Sequence, residues 1–248
     1  MGKTYEALER AEKEYQESLP KASREPDTAP GTKAPQQAFY QVDTERYLDL
    51  KVNLLTRYPD TPIKTILFTA TTHGDGASTT AINFATTLAK DCQLKVLLVD
   101  VNLRTPALHE VFHIDQNKGL SNFLSNTGKI PGRIHKIGPG GFYVLPSGSN
   151  HSGPVSLFES ARFDRFLKSM RERFDYVILD APPFSQFSDS RVICSKVDGV
   201  ILVLKSGTTR RQVALRIKKE LEDSGGKLLG VVMNKRKYYI PRWIYKRL

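Results

Sequence analysis

The residues best equipped for chemistry stand where apolar runs end. TILFTA (65–70) passes into TTHGDGASTT (71–80) and then straight into the amphipathic stretch AINFATTLAK (81–90). A glycine-rich loop between a strand and a helix is suited to holding phosphate. Its glycines let backbone N–H groups approach the anion, and the helix N-terminus adds unpaired amides and the positive end of its dipole. Here Gly74 and Gly76 free the backbone around Asp75, and Ala77, Ser78 and Thr79 open the helix, with the Ser78 hydroxyl placed to ligate Mg²⁺. The pattern GxxxxGK[ST] is incomplete, because Ala77 stands where the lysine belongs. KVLLVDVNLRTP (95–106) ends an apolar run on Asp100, with Asn102 and Arg104 behind it, and DYVILDAPP (175–183) ends another on Asp180. In a parallel sheet the C-terminal strand ends share one edge, so Asp100 and Asp180 are expected to meet at a Mg²⁺ beside the phosphates. Either carboxylate alone would also suit a helix cap.

The elements that must position these groups are regular from about residue 43. A helix is expected near 43–57, followed by the apolar runs 65–70, 95–100, 142–146, 176–180, 199–204 and 228–234. These runs are short, rich in β-branched residues and apolar on both faces. Amphipathic stretches at 78–90, 160–173 and 209–223 separate them, the pattern of buried parallel strands with crossover helices. The longer connections at 113–141 and 181–190 are expected to be loops. Residues 1–18 combine strong helix formers with a thin apolar stripe (Tyr5, Leu8, Tyr15) and predict a docking helix. Residues 19–42 collect four prolines among small polar residues and predict a disordered linker. The main domain then spans 43–234, with a basic tail at 235–248.

Among the 248 residues, 37 Lys+Arg oppose 26 Asp+Glu, a net charge of +11. Six of the cations lie in the last fourteen residues, with no acid among them. Charge gathered in a tail points to a local contact with headgroups, nucleic acid or an acidic partner, or to a solvated end. The tail also carries Tyr, Trp and Ile, a mixture suited to a membrane interface or an acidic partner and also to single-stranded nucleic acid. No apolar run approaches the roughly 18 residues of a spanning helix, and the N-terminus lacks the apolar core of a signal peptide. Cys92 and Cys194 are too few and too far apart for a disulfide framework or a cysteine zinc site. A cytoplasmic chain is expected.

The run from strand one through LRTPALHEVF, VLPSGS, SLFESARFDRFLKSMRERFDYVILDAPP, SDSRVICSKVDGVILVL and LLGVVMNK resembles the bacterial tyrosine kinases (BY-kinases) of capsule and exopolysaccharide synthesis. The resemblance covers most of residues 43–248. It implies a three-layer α/β P-loop NTPase fold related to the ParA/MinD ATPases, with a helical N-terminal extension, binding ATP and Mg²⁺. By position, Gly74 to Thr79 would be the Walker A loop, Asp100, Asn102 and Arg104 the A′ motif, and Asp180 the Walker B residue. Mg²⁺ would sit among Ser78, Asp100 and Asp180. Tyr238, Tyr239 and Tyr245 would be phosphoacceptors, and Asn234 matches an asparagine that reads adenine in the wider ATPase group, unless it merely closes a strand. The implied partners are a membrane polysaccharide co-polymerase, further copies of the chain in a ring and, through the tail, the inner-membrane surface. The opening MGKTYEALERAEKEY resembles the N-terminal helix of cytoplasmic family members that pair with a separate membrane protein.

The chain departs from the family at informative places. Ala77 replaces the P-loop lysine, Asn102 the second A′ aspartate, and the ring-forming ExxRxxR motif reads Glu45, Leu48, Lys51. Phosphoryl transfer rests on positioning and charge stabilisation, so losing one fixed cation would cost about 3 kcal/mol, roughly a hundredfold in rate. The expectation is therefore a nucleotide-binding regulator that is a slow kinase, or else a pseudokinase that works by docking. A ParA/MinD-type partition ATPase would use the same fold, but the A′ motif and tail tyrosines weigh against it. His109 to His113 reads HExxH, the zincin signature, yet no third ligand is evident, so it is taken as a coincidence of spacing. Gly138, Gly140 and Gly141 precede a strand and are expected to form a turn.

Overall fold

The structure is a computed structural model that describes residues 44–125, 134–149 and 154–236. In chain order its elements are α1 (Thr44–Arg57), β1 (Thr65–Ala70), α2 (Ala77–Lys90), β2 (Val96–Asp100), α3 (Leu108–Phe112), α4 (Leu120–Ser125), β3 (His135–Lys136) and β4 (Phe142–Leu145). They continue as α5 (Pro154–Glu159), α6 (Ala161–Arg173), β5 (Tyr176–Asp180), α7 (Ser188–Cys194), β6 (Gly199–Lys205), α8 (Arg211–Asp223) and β7 (Leu228–Asn234). The strands form one sheet in the order β3-β4-β2-β5-β1-β6-β7. Every neighbouring pair is parallel except β3 and β4.

The central strands are buried on both faces, which is why they read as unbroken apolar runs and not as alternation. Their side chains divide between two cores. Leu67, Leu97, Val177 and Leu179 face α6 and α7, while Ile66, Phe68, Leu98 and Ile178 face α1 and α2. In α6, Phe163, Phe166, Leu167 and Met170 recur at i, i+3, i+4 and i+7 and form the stripe that covers the sheet. On α2 four of the nine buried positions are alanines spaced one turn apart (Ala77, Ala81, Ala85, Ala89), so the helix lies close over β1 and β2. The result is the three-layer α/β fold expected from the sequence.

Both long connections hold more structure than expected. The segment 113–141 contains α4 and β3, and α7 begins at Ser188, inside the loop expected over 181–190. These elements span seven residues or fewer, too short for a helical or strand period to emerge from sequence. The glycine cluster makes the turn between β3 and β4, with Gly138 at φ +65°. The helix expected over 1–18, the linker 19–42 and Tyr238, Tyr239 and Tyr245 lie outside the described residues.

At the N-terminal edge of the sheet Asp198 joins three elements. One carboxylate oxygen accepts from the Lys64 amide (2.9 Å), the Thr65 amide (2.8 Å) and the Thr65 hydroxyl (2.9 Å), and the other pairs with Arg171 of α6 at 2.8 Å. Asp198→Ala leaves two amides without their acceptor and is expected to cost about 2–3 kcal/mol, roughly 5–10 °C in thermal midpoint. Scanning fluorimetry reads this directly; an unchanged midpoint would show the bracket to be dispensable.

Candidate functional site

Because β5 lies between β2 and β1, three strand ends are consecutive along one edge of the sheet. The glycine-rich loop leaves β1 there. Gly76 takes the left-handed conformation (φ +96°, ψ 30°) and caps α2, whose first internal bond runs from the Thr80 amide to the Gly76 carbonyl at 3.0 Å. The amides preceding Thr80 therefore have no acceptor within the helix, and anion binding can use them. Asp75 is 2% exposed, and its side chain braces the loop from within. It accepts from the Thr71 hydroxyl, the Thr72 amide (3.0 Å) and the Thr72 hydroxyl (3.1 Å). Asp75 therefore serves the loop's own conformation. Ala77 is buried in the α2 core, Ser78 is half-buried, and Thr79 and His73 are exposed.

Asp100 and Asp180 are register partners on β2 and β5 and are almost fully buried. Asp100 staples its own loop: one oxygen accepts from the Asn102 amide and the other from the Ala107 and Leu108 amides, each at 3.1 Å. It is a strand-end carboxylate that also takes up the amides of Ala107 and Leu108 where α3 begins. Asp180 accepts from Ser78, while its other oxygen, Oδ1, is buried with no hydrogen-bond partner. Burial pushes the Asp100 carboxyl up to about 7 against its three amide donors. Burial also raises Asp180 well above the usual carboxylate range, and the neighbouring Asp100 charge adds to this.

An orphaned buried carboxylate oxygen, a second carboxylate alongside and a serine hydroxyl are oxygen donors of the kind Mg²⁺ requires. The site fits the metal. Ser78, Asp100 and Asp180 would hold it, and a cation there would offset the cost of keeping two carboxylates buried together. The HExxH sequence forms no comparable centre. His109 lies in α3, half-buried, while His113 ends that helix in the left-handed region at φ +49° and is exposed. No group of three or more His, Cys, Asp or Glu suited to a metal occurs among the described residues.

The remaining expected residues sit around this edge in more structural settings. Asn102 donates to the Thr105 carbonyl (2.9 Å) and accepts from the Thr105 amide (3.2 Å), closing the loop with a donor that an aspartate lacks. Arg104 lies over the Phe187 ring and forms a two-pronged pair with the fully buried Asp189 of α7, Nε at 2.7 Å and Nη2 at 3.3 Å. It thereby ties the loop after β2 to the loop after β5. Asn234 donates from Nδ2 to the Asp75 carbonyl at 3.0 Å, so it ties the glycine-rich loop to the end of β7. It also lines a cleft of about 350 Å³ with Tyr47, Thr80 and Asn83.

Two participants are not apparent from sequence. Asp189 pairs across 85 positions, and nothing in SDSRV marks it apart from the acidic first turn it supplies to α7. Lys235, which sequence assigns to the tail, donates from Nζ to the Gly74 carbonyl at 2.8 Å.

A parallel sheet whose first strand feeds a glycine-rich loop and a helix, with carboxylates on the next two strand ends, defines the P-loop NTPase fold. Comparison with known proteins narrows the class. Residues 63–219 match the family described as AAA domain. Tyrosine-protein kinase CpsD of Streptococcus agalactiae is 31% identical over 194 residues, which cover 77% of this chain and 83% of CpsD. The kinase domain of the Escherichia coli tyrosine kinase ETK has the same fold, with a TM-score of 0.74 at 22% identity over 91% of this chain and 89% of that one. The septum site-determining protein MinD of Pyrococcus horikoshii, complexed with Mg-ADP, shares it more distantly, with a TM-score of 0.59 at 21% identity over 75% of this chain and 76% of its own. The chain belongs to the bacterial tyrosine-protein kinase family.

Proposed function

We propose that this protein binds Mg·ATP at the edge formed by β1, β5 and β2 and regulates capsule or exopolysaccharide synthesis together with a membrane co-polymerase. The observation that carries the nucleotide reading is the unpartnered Asp180 Oδ1, buried beside Ser78 and Asp100 at the mouth of the glycine-rich loop. Unpaired amides at the start of α2 would take the phosphates, and the cleft beside Asn234 has the volume for a nucleoside. Mg²⁺ would supply charge neutralisation to the phosphates. Asp100, at the strand end beside the cation, would accept the proton of an attacking tyrosine hydroxyl, with Tyr238, Tyr239 and Tyr245 as the acceptors. Arg104 would position the loop carrying Asp100 through Asp189.

Ala77 favours a second reading, a pseudokinase that retains nucleotide-dependent docking without transfer. Asn102, locked to Thr105 and uncharged, points the same way. Under either reading the chain acts at the cytoplasmic face of the membrane through its partner, and further copies join through the face of α1 that carries Glu45, Leu48 and Lys51.

Intact-mass and peptide mapping after incubation with Mg·ATP, alone and with partner-containing membranes, separates the readings. Phosphate on the tail tyrosines of the natural chain, forming about a hundredfold more slowly than in Ala77→Lys, is the expected result for a kinase lacking one fixed cation. Modification of Ala77→Lys alone would establish the pseudokinase. A chain that retains full activity as Asp100→Asn would rule out Asp100 as the base.

A further inference from the structure

We infer that Lys235, one residue beyond β7, supplies the phosphate loop with the ammonium charge that Ala77 withholds; this rests on the nucleotide-binding reading above. Lys235 is a non-glycine residue at φ +53°, a left-handed conformation that L side chains rarely adopt. Two contacts hold it there. Its own amide donates to Asn234 Oδ1 at 2.8 Å, and the Ser206 amide donates to the Asn234 carbonyl at 2.9 Å. The turn sends the side chain over the glycine-rich loop, where Nζ donates to the Gly74 carbonyl at 2.8 Å. Asn234, beside it, holds the next carbonyl of the loop, that of Asp75.

Consecutive residues of β7 and its exit therefore hold consecutive carbonyls of the phosphate loop. In a trans peptide the C=O and N–H of one unit point in opposite directions. Drawing the Asp75 carbonyl toward β7 accordingly turns the Gly76 N–H away from β7. The ammonium itself is exposed and keeps further donors after bonding Gly74. A unit charge at this distance from bound phosphate acts through a largely aqueous medium, so its influence is moderate and screened by salt.

The test is isothermal titration of the full chain with Mg·ATP for the natural protein, Lys235→Gln, Lys235→Arg and the double variant Lys235→Gln/Ala77→Lys. The unfolding midpoint of each nucleotide-free protein is measured alongside. Lys235→Gln is expected to bind about five- to tenfold more weakly at low salt, with the deficit shrinking at high salt. Its nucleotide-free midpoint should stay within about 2 °C. Lys235→Arg should remain within about twofold of the natural chain, and adding Ala77→Lys should restore the affinity lost in Lys235→Gln. Unchanged binding by Lys235→Gln, or equal weakness in Lys235→Arg, overturns the inference while leaving nucleotide binding standing. A natural chain that binds no Mg·ATP overturns both.

Discussion

Gly76→Ala should cost the protein about 3 kcal/mol of stability and most of its affinity for nucleotide. Two physical terms add at this one position. An L side chain at φ +96° carries a left-handed penalty of about 1–2 kcal/mol. A Cβ there would also lie 2.1 Å from Asn234 Nδ2, so the Asn234 amide must leave and its bond to the Asp75 carbonyl is lost, at about 1 kcal/mol. For a domain of this size the sum corresponds to roughly 6–12 °C in thermal midpoint. Gly74→Ala is the internal control. Gly74 is also left-handed, at φ +85°, but a Cβ there meets no atom within 4 Å, so only the conformational term applies. Equal midpoints for the two variants would mean that Asn234 moves aside freely and that the β7 clamp contributes nothing to the loop.

Asp180→Asn should act in opposite directions on stability and on metal response. In the metal-free protein, two buried carboxylates on adjacent strand ends have pKa values raised above the ordinary value of 3.8, Asp100 to about 7 and Asp180 well above that ordinary value. Raised values mean that the native state holds its protons more tightly than the unfolded chain does. The stability this lends is complete below about pH 4 and is lost as the pH rises through the native values, for Asp100 near 7. The thermal midpoint of the metal-free protein should therefore fall between pH 5 and pH 8, by an amount on the order of 5 °C, and Mg²⁺ should reverse the fall at pH 8. Asp180→Asn removes one of the two charges. At pH 8 it should unfold above the natural chain, show a flatter pH profile and lose the rise on adding Mg²⁺. Its affinity for ATP should no longer depend on Mg²⁺. A variant that keeps its Mg²⁺ response, or that unfolds below the natural chain at pH 8, would show that Asp180 is not where the cation is held.

The strands that carry chemistry were legible because they are fully buried. TILFTA and YVILD are strands over the same residues the sequence predicts. Burial on both faces demands unbroken apolar runs, and such runs stop where the chain emerges at the sheet edge. Asp100 and Asp180 are visible for that reason, as the first charged residues after a buried run. The same reasoning fails for α4, α7 and β3, where the chain is too short to show a period and long-range contacts decide the conformation.

Sequence by itself determined the strand ends, the glycine-rich loop, the absence of its lysine and the family to which the chain belongs, because each depends on residue type at local spacing. Only the tertiary structure decided what each polar group is bonded to. Arg104 meets Asp189, Asn234 and Lys235 reach Asp75 and Gly74, and Asp180 keeps a buried carboxylate oxygen without a partner. Those pairings join residues 85 to 161 positions apart. They exist because the strand order β2-β5-β1-β6-β7 carries distant segments to one edge of the sheet, where a buried carboxylate must find a donor or a cation.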